Sequence, residues 1–150
     1  MQRRTPWPTS GNPMLLSYLN LKYPSLKFSP QLSRAIDYIR THLSEPLTIS
    51  QLCRHCCMSR ANFFRAFKRA TGLSPVTFIN LERIKCASEL IVQGYHTLAD
   101  VCYQVGFSSV SYFIRIFKRY VGMTPAQYRA LLQQNYGVCD EALRFSVTVS

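Results

Sequence analysis

Hydrophobic residues recur along this chain at spacings of three and four. Leu32, Ala35, Ile36, Ile39 and Leu43 predict a first helix, opened by Ser29-Pro30 and ended by Glu45-Pro46. The stretch "LTISQLCRHCCMS" predicts a short helix capped by Thr48 or Ser50, then a break. Ser59 is placed to N-cap a further helix running to about Ala70, with Gly72 to stop it. Ser74-Pro75 opens a longer helix, because proline at the first helical position gives up an N–H that has no partner there anyway. Phe78, Leu81, Ile84, Ala87, Leu90 and Ile91 form its apolar stripe, and Gly94 closes it. The order then returns: a short helix from about Thr97 to Val105, a break at Gly106-Phe107, a helix from about Ser109 to Tyr120, Gly122, and a last helix from Thr124-Pro125 to about Gln134. The pattern predicts an all-α fold of seven helices.

The return extends to the residues themselves. "FKRATGLSP" at Phe67 to Pro75 comes back as "FKRYVGMTP" at Phe117 to Pro125, 50 residues on, a period that signals a repeated supersecondary unit. A short helix, a tight break and a second helix of about 12 residues describe a helix-turn-helix, whose second helix enters the major groove of DNA. Two such subdomains are expected, joined by a long linker helix from about Pro75 to Gln93. At 1.5 Å per residue that helix is roughly 28 Å long, close to the ~34 Å of one DNA turn. The expected organisation is a loose, proline-bearing leader (1–30), a first helix-turn-helix unit with the linker helix (31–94), a second unit (95–135) and a C-terminal tail (136–150).

Helical geometry sorts the faces of the two second helices. On the first, Phe63, Ala66, Phe67 and Ala70 share an apolar sector, and Ala61, Arg65 and Lys68 lie opposite. On the second, Phe113, Ile116, Phe117 and Tyr120 are apolar, and Ser111, Arg115 and Lys118 lie opposite. One Arg-x-x-Lys pair would be ordinary solvated helix surface. Two in register, each behind a short helix and a break, point to nucleic acid. Arginine's planar fork can meet guanine O6 and N7 together, whereas lysine acts more as a mobile point charge.

Charge agrees with this. Lys plus Arg number 18 against 7 acids, a net charge of +11, which favours an anionic partner, nucleic acid or membrane surface. No acidic residue lies between Glu45 and Glu82 or between Asp100 and Asp140, so each copy of the repeat sits in an acid-free window. A membrane-surface role would need a basic amphipathic helix not committed to a core, and no apolar run approaches the roughly 18 residues of a membrane span. An enzyme is not expected, since no phosphate-cradling glycine loop or paired carboxylates occur and His42, His55 and His96 are the only candidate bases. The alternative from another class is a basic helical protein-interaction or RNA-binding module, which would lack sequence-dependent binding of duplex DNA.

"CRHCC" places three thiols and His55 within five residues, but a structural zinc site generally draws ligand pairs from separated segments, and Cys86, Cys102 and Cys139 are isolated. Cys53 aligns with Cys102 at the small buried position of the short helix. The thiols are read as reduced packing residues in a cytosolic protein, with no metal and no cofactor.

"SRANFFRAFKRATGLSP", "LERIKCASELI" and "ADVCYQVGFSSVSYFIRIFKRYVGMTPAQYR" resemble the DNA-binding region of AraC-type bacterial transcription regulators, over roughly Leu32 to Leu131. The most specific part holds Gly106, Phe107, Tyr112, Phe113, Phe117, Lys118, Gly122, Pro125, Tyr128 and Arg129 at family-typical spacings. The resemblance implies a DNA-binding transcription regulator, an activator, acting in the cytoplasm at the nucleoid and contacting RNA polymerase; it leaves the effector unknown. Many relatives carry a separate domain before this region, so the chain either acts alone or is a piece of a longer regulator. The expected DNA contacts are Arg60, Ala61, Asn62, Phe64, Arg65, Lys68 and Arg69 on the first unit and Ser109, Ser111, Ile114, Arg115, Lys118 and Arg119 on the second. Two departures stand out. Phe64 and Ile114 occupy positions that are usually polar in the family, and would either touch thymine methyls or face a protein surface. Cys57 stands where Gly106 stands in the second unit, and because a left-handed non-glycine costs about 1–2 kcal/mol, the first turn is expected to be shaped differently.

Overall fold

The structure, a computed structural model, describes residues 28–135 apart from Tyr95. The proposed tail and the leader up to residue 27 lie outside the described residues. The described residues form seven helices and no strand: α1 (Pro30–Thr41), α2 (Ile49–Cys56), α3 (Arg60–Thr71), α4 (Pro75–Gln93), α5 (Leu98–Gln104), α6 (Val110–Val121) and α7 (Pro125–Asn135). The expected all-α plan is present, and the long helix has the bounds that its proline and glycine signals set.

Local chemistry accounts for the boundaries. Thr48, not Ser50, caps α2: its hydroxyl accepts from Gln51 N while the Gln51 side chain accepts from Thr48 N, a reciprocal capping box. Thr97 and Asp100 repeat the device at α5, 49 residues further on. Ser59 and Ser109 cap α3 and α6, now 50 residues apart. The repeat therefore gains one residue inside its second turn, between Phe107 and Ser109, while keeping both flanking helices in register.

The turns close alike. Met58 N donates to Cys53 O and Phe107 N to Cys102 O, both at 3.1 Å, and Cys57 N and Gly106 N each donate to the carbonyl three residues back. This is the Schellman arrangement in both units, with Cys57 (φ 53°) and Gly106 (φ 102°) in positive-φ backbone. The expectation of a differently shaped first turn is thus corrected. Cys57 adopts the left-handed geometry, and the hydrogen bonds of the Schellman motif offset its steric cost.

The core is continuous across the molecule. In the first half, Leu32, Ile36 and Ile39 of α1 meet Leu52, Phe63 and Phe67, and Phe67 packs edge-on against Phe78 of α4 at 5.2 Å between centroids. In the second half, Phe107, Phe113, Phe117 and Tyr128 form a chain of rings spaced 5.3 to 5.8 Å. The linker helix α4 packs on α3, α5, α6 and α7. Its residues Phe78 to Glu82 are all buried in succession, which a one-sided amphipathic helix cannot achieve. The expected apolar stripe is there, with Leu90 only half-buried, but at Phe78–Glu82 α4 is enclosed on every side and works as the centre of the fold rather than a free strut.

Candidate nucleic-acid interface

Helices α3 and α6 share one construction. Each starts at a serine whose hydroxyl accepts from the backbone N–H three residues on, at 3.3 Å, and each ends on a glycine. Phe63, Phe67 and Thr71 anchor α3, and Phe113, Phe117 and Val121 anchor α6 at equivalent positions. Ile116 and Tyr120 are buried on α6, whereas Ala66 and Ala70 on α3 are only half-buried, so the first helix sits less deeply.

That anchoring decides what faces out. Arg60, Ala61, Asn62, Arg65, Lys68 and Arg69 are exposed on α3. Ser111, Ile114, Arg115, Lys118 and Arg119 are exposed on α6, as is the capping Ser109. Of the expected contact residues only Phe64 is half-buried. Its ring meets Phe63 edge-on at 6.3 Å, and the Arg60 guanidinium lies over it at 5.7 Å from the centroid.

The two arginines opposite the apolar sectors are held by neighbours one turn earlier. Arg65 donates from Nη2 to Asn62 Oδ1 at 2.8 Å. The Arg115 guanidinium lies over the Tyr112 ring, 5.2 Å from its centroid. Both contacts restrict the arginine stem while leaving the side chain exposed, and Tyr112 is itself fixed by Asn80 of α4, whose Nδ2 donates to its hydroxyl at 3.3 Å. With no acid in either window, the charge on these faces is uncompensated by their own segments.

A model of the helix-turn-helix domain family matches residues 52–131, more than half of the chain. The chain belongs to the AraC-type helix-turn-helix family. Among the relatives, the regulatory protein PocR of Salmonella typhimurium is 30% identical over 105 residues, covering 70% of this chain and 35% of PocR. AdaA of Bacillus subtilis, a bifunctional transcriptional activator and DNA repair enzyme, is 32% identical over 95 residues, 63% of this chain and 45% of AdaA. The chain thus spans less than half the length of these relatives. Among solved structures, the DNA-binding domain of AdpA in complex with a target DNA superposes with a TM-score of 0.70 at 28% identity, covering 73% of this chain and 98% of that one.

The thiols of this AraC-type chain are distributed through the packing. Cys56 is buried with Sγ donating to Leu52 O at 3.0 Å, Cys102 is buried, Cys53 and Cys86 are half-buried, and Cys57 is exposed. Burial pushes the Cys56, Cys86 and Cys102 thiols up from their ordinary value, with Cys53 and Cys57 adding to the shift at Cys56 and Glu89 and Glu82 at Cys86. Among the described residues no cluster of three or more His, Cys, Asp or Glu could hold a metal, and no helix is long and apolar enough to cross a membrane.

Sequence reading missed a set of contacts made by Arg83. It lies on α4 within the motif "LERIKCASELI", yet its spacing gives no hint of a partner. Its Nε donates to Leu43 O at 3.1 Å and its Nη2 to Glu45 O at 3.0 Å, both in the loop after α1, and the guanidinium sits 5.7 Å from the centroid of Phe107 in the second turn. Nearby, the Arg40 guanidinium of α1 meets the buried Glu82 carboxylate at 3.2 Å. The quoted motifs include Glu82 and Arg83 but not Arg40, Leu43 or Glu45, and only the fold brings residues about 40 apart into contact.

Proposed function

We propose that this protein binds double-stranded DNA sequence-specifically, laying α3 and α6 into two adjacent major-groove segments, and regulates transcription from there, most simply as an activator. The observation that carries this is the matched pair of anchored helices, each presenting an exposed Arg-x-x-Lys pair, Arg65/Lys68 and Arg115/Lys118, opposite its buried phenylalanines. In this reading residues 31–94 and 95–135 are the two reading units. Arg65 and Arg115 reach base edges, supported by Ala61, Asn62 and Ser111, and Arg60, Lys68, Arg69, Ser109, Lys118 and Arg119 contact phosphates. Ile114, 38% exposed beside Arg115, is suited to a thymine methyl, whereas Phe64, under Arg60, serves to hold that arginine.

The protein acts by binding rather than by catalysis, in the cytoplasm on chromosomal DNA, and hands its effect to RNA polymerase. The likeness to a DNA-bound domain and to transcription regulators supports this. Selection of bound duplexes from a random pool, followed by titration, tests it: one enriched motif with two separated conserved segments is expected. Enrichment of no duplex sequence would leave a basic helical module for protein or RNA in its place.

A further inference from the structure

In a protein with two reading heads, the angle between them is set where the linker helix and both heads pack together, and a contact that joins all three parts has the most influence on it. Here both heads meet at one point on the linker. Arg83 ties α4 to the carbonyls of Leu43 and Glu45 in the first unit, at 3.1 and 3.0 Å, while its guanidinium covers the Phe107 ring of the second turn. The two units also touch directly there: a Cβ added at Gly106 would collide with Leu43 O and lie 2.9 Å from Arg83 Nε. One planar cation therefore fills the seam between the loop after α1 and the turn before α6, using two donors on one side and its face on the other. Lysine could supply the charge but not two fixed donors together with a flat face.

We propose that Arg83 sets the phase between the two recognition helices and so determines which spacing of base pairs the protein accepts. It is a positioning residue, half-buried and outside both exposed faces of α3 and α6. The inference rests on the two-headed reading above and adds a specificity determinant that touches no DNA. Removal of the guanidinium leaves Leu43 O and Glu45 O to water and Phe107 without its cover, so the second unit gains freedom to rotate against the first.

The test uses the full chain and three duplexes: the selected site, and the same site with one base pair added or removed between its halves. One base pair displaces a half-site by about 3.4 Å and turns it by about 35°. The wild type is expected to lose on the order of tenfold in affinity or more on either altered duplex, the scale of one forfeited bidentate base contact. Arg83→Ala is expected to bind the selected site more weakly and to shrink that penalty to about two- or threefold. In the absence of DNA, residual dipolar couplings of α3 and α6 amides should fit one alignment tensor in the wild type and require two in Arg83→Ala. Arg83→Lys, which keeps the charge and the packed stem, serves where Arg83→Ala fails to fold, with the same direction expected. Equal loss on all three duplexes with a single tensor in the variants would make Arg83 a merely stabilising residue and overturn the proposal. A wild type that tolerates every spacing while fitting one tensor would instead sink the two-headed reading, and the role in spacing with it, while leaving the rigid seam in place.

Discussion

Asn62 Oδ1 accepts a hydrogen bond from Arg65 Nη2 at 2.8 Å, across one turn of the exposed face of α3. The bond fixes the arginine before any DNA arrives, which lowers the side-chain entropy lost on binding. Arg115 achieves the same end by lying over Tyr112. If each arginine reads bases in its own groove segment, Arg65→Ala should relax preference in one half of the selected site and Arg115→Ala in the other, each costing about 1–3 kcal/mol. Site selection repeated on both variants checks this; blurring of the same base pairs by both would contradict two separate heads.

Lys68 and Lys118 lie one turn beyond these arginines, exposed and in the last turns of α3 and α6. As phosphate contacts they carry no sequence information. Replacing either with alanine should weaken all duplexes by a similar factor and reduce the slope of log affinity against log salt by about one each. Titration at several salt concentrations measures it, and a slope unchanged by both substitutions would remove them from the interface.

Much of this was legible beforehand. The caps, Pro75 and Gly94 bounded α4 to the residue, and rotation at 100° per residue separated Phe63 and Phe67 from Arg65 and Lys68 as the structure does. These are local signals, written within one or two turns of the residues they govern. What stayed hidden is non-local: the enclosure of Phe78–Glu82 on every side, the Arg40–Glu82 pair, and the Arg83 contacts depend on how distant segments meet. The first turn is a different case: the two Schellman hydrogen bonds that offset the steric penalty at Cys57 are local, but they follow from the backbone conformation at the helix end and not from residue type.

Thiol reactivity should follow burial. Cys57 is exposed, whereas burial raises the Cys56 and Cys102 thiols above their ordinary value and so lowers their thiolate fraction. Alkylation of the native protein followed by peptide mapping should modify Cys57 first and leave Cys56 and Cys102 until unfolding. Treatment with a zinc chelator should leave helical signal and DNA binding unchanged; loss of either would restore a metal role for these thiols.

Asp100 accepts from both the hydroxyl and the backbone N–H of Thr97, and these hydrogen bonds hold its carboxyl below the usual aspartate value. A depressed folded-state pKa means stability that is present above the unfolded value of about 3.9 and lost as pH falls through the folded one. Asp100→Asn should therefore destabilise the protein at neutral pH and matter progressively less in strong acid. Urea unfolding at both extremes checks the sign, and an effect that grew on acidification would exclude this origin.

The two turns share one geometry but not one tolerance. Cys57 at φ 53° carries a Cβ in left-handed backbone, and its Sγ only reaches Arg54 O at 3.8 Å, so the side chain contributes little in return. Cys57→Gly removes a strain of about 1–2 kcal/mol and adds roughly 0.5–1 kcal/mol of unfolded-state freedom, so a net gain of up to about 1.5 kcal/mol is expected. Gly106→Ala faces a backbone penalty at least as large, since φ 102° lies further from the left-handed region open to side-chain-bearing residues, and it also drives a methyl group into the Leu43 carbonyl, backbone that cannot swing aside. It should cost several times as much, about 3 kcal/mol or more, because overpacking is added to the strain. Chemical denaturation of both variants, with the wild type as reference, gives the two numbers. Near-equal effects of Cys57→Gly and Gly106→Ala in opposite directions would mean that backbone conformation alone distinguishes the turns and that the seam between Gly106 and Leu43 yields freely.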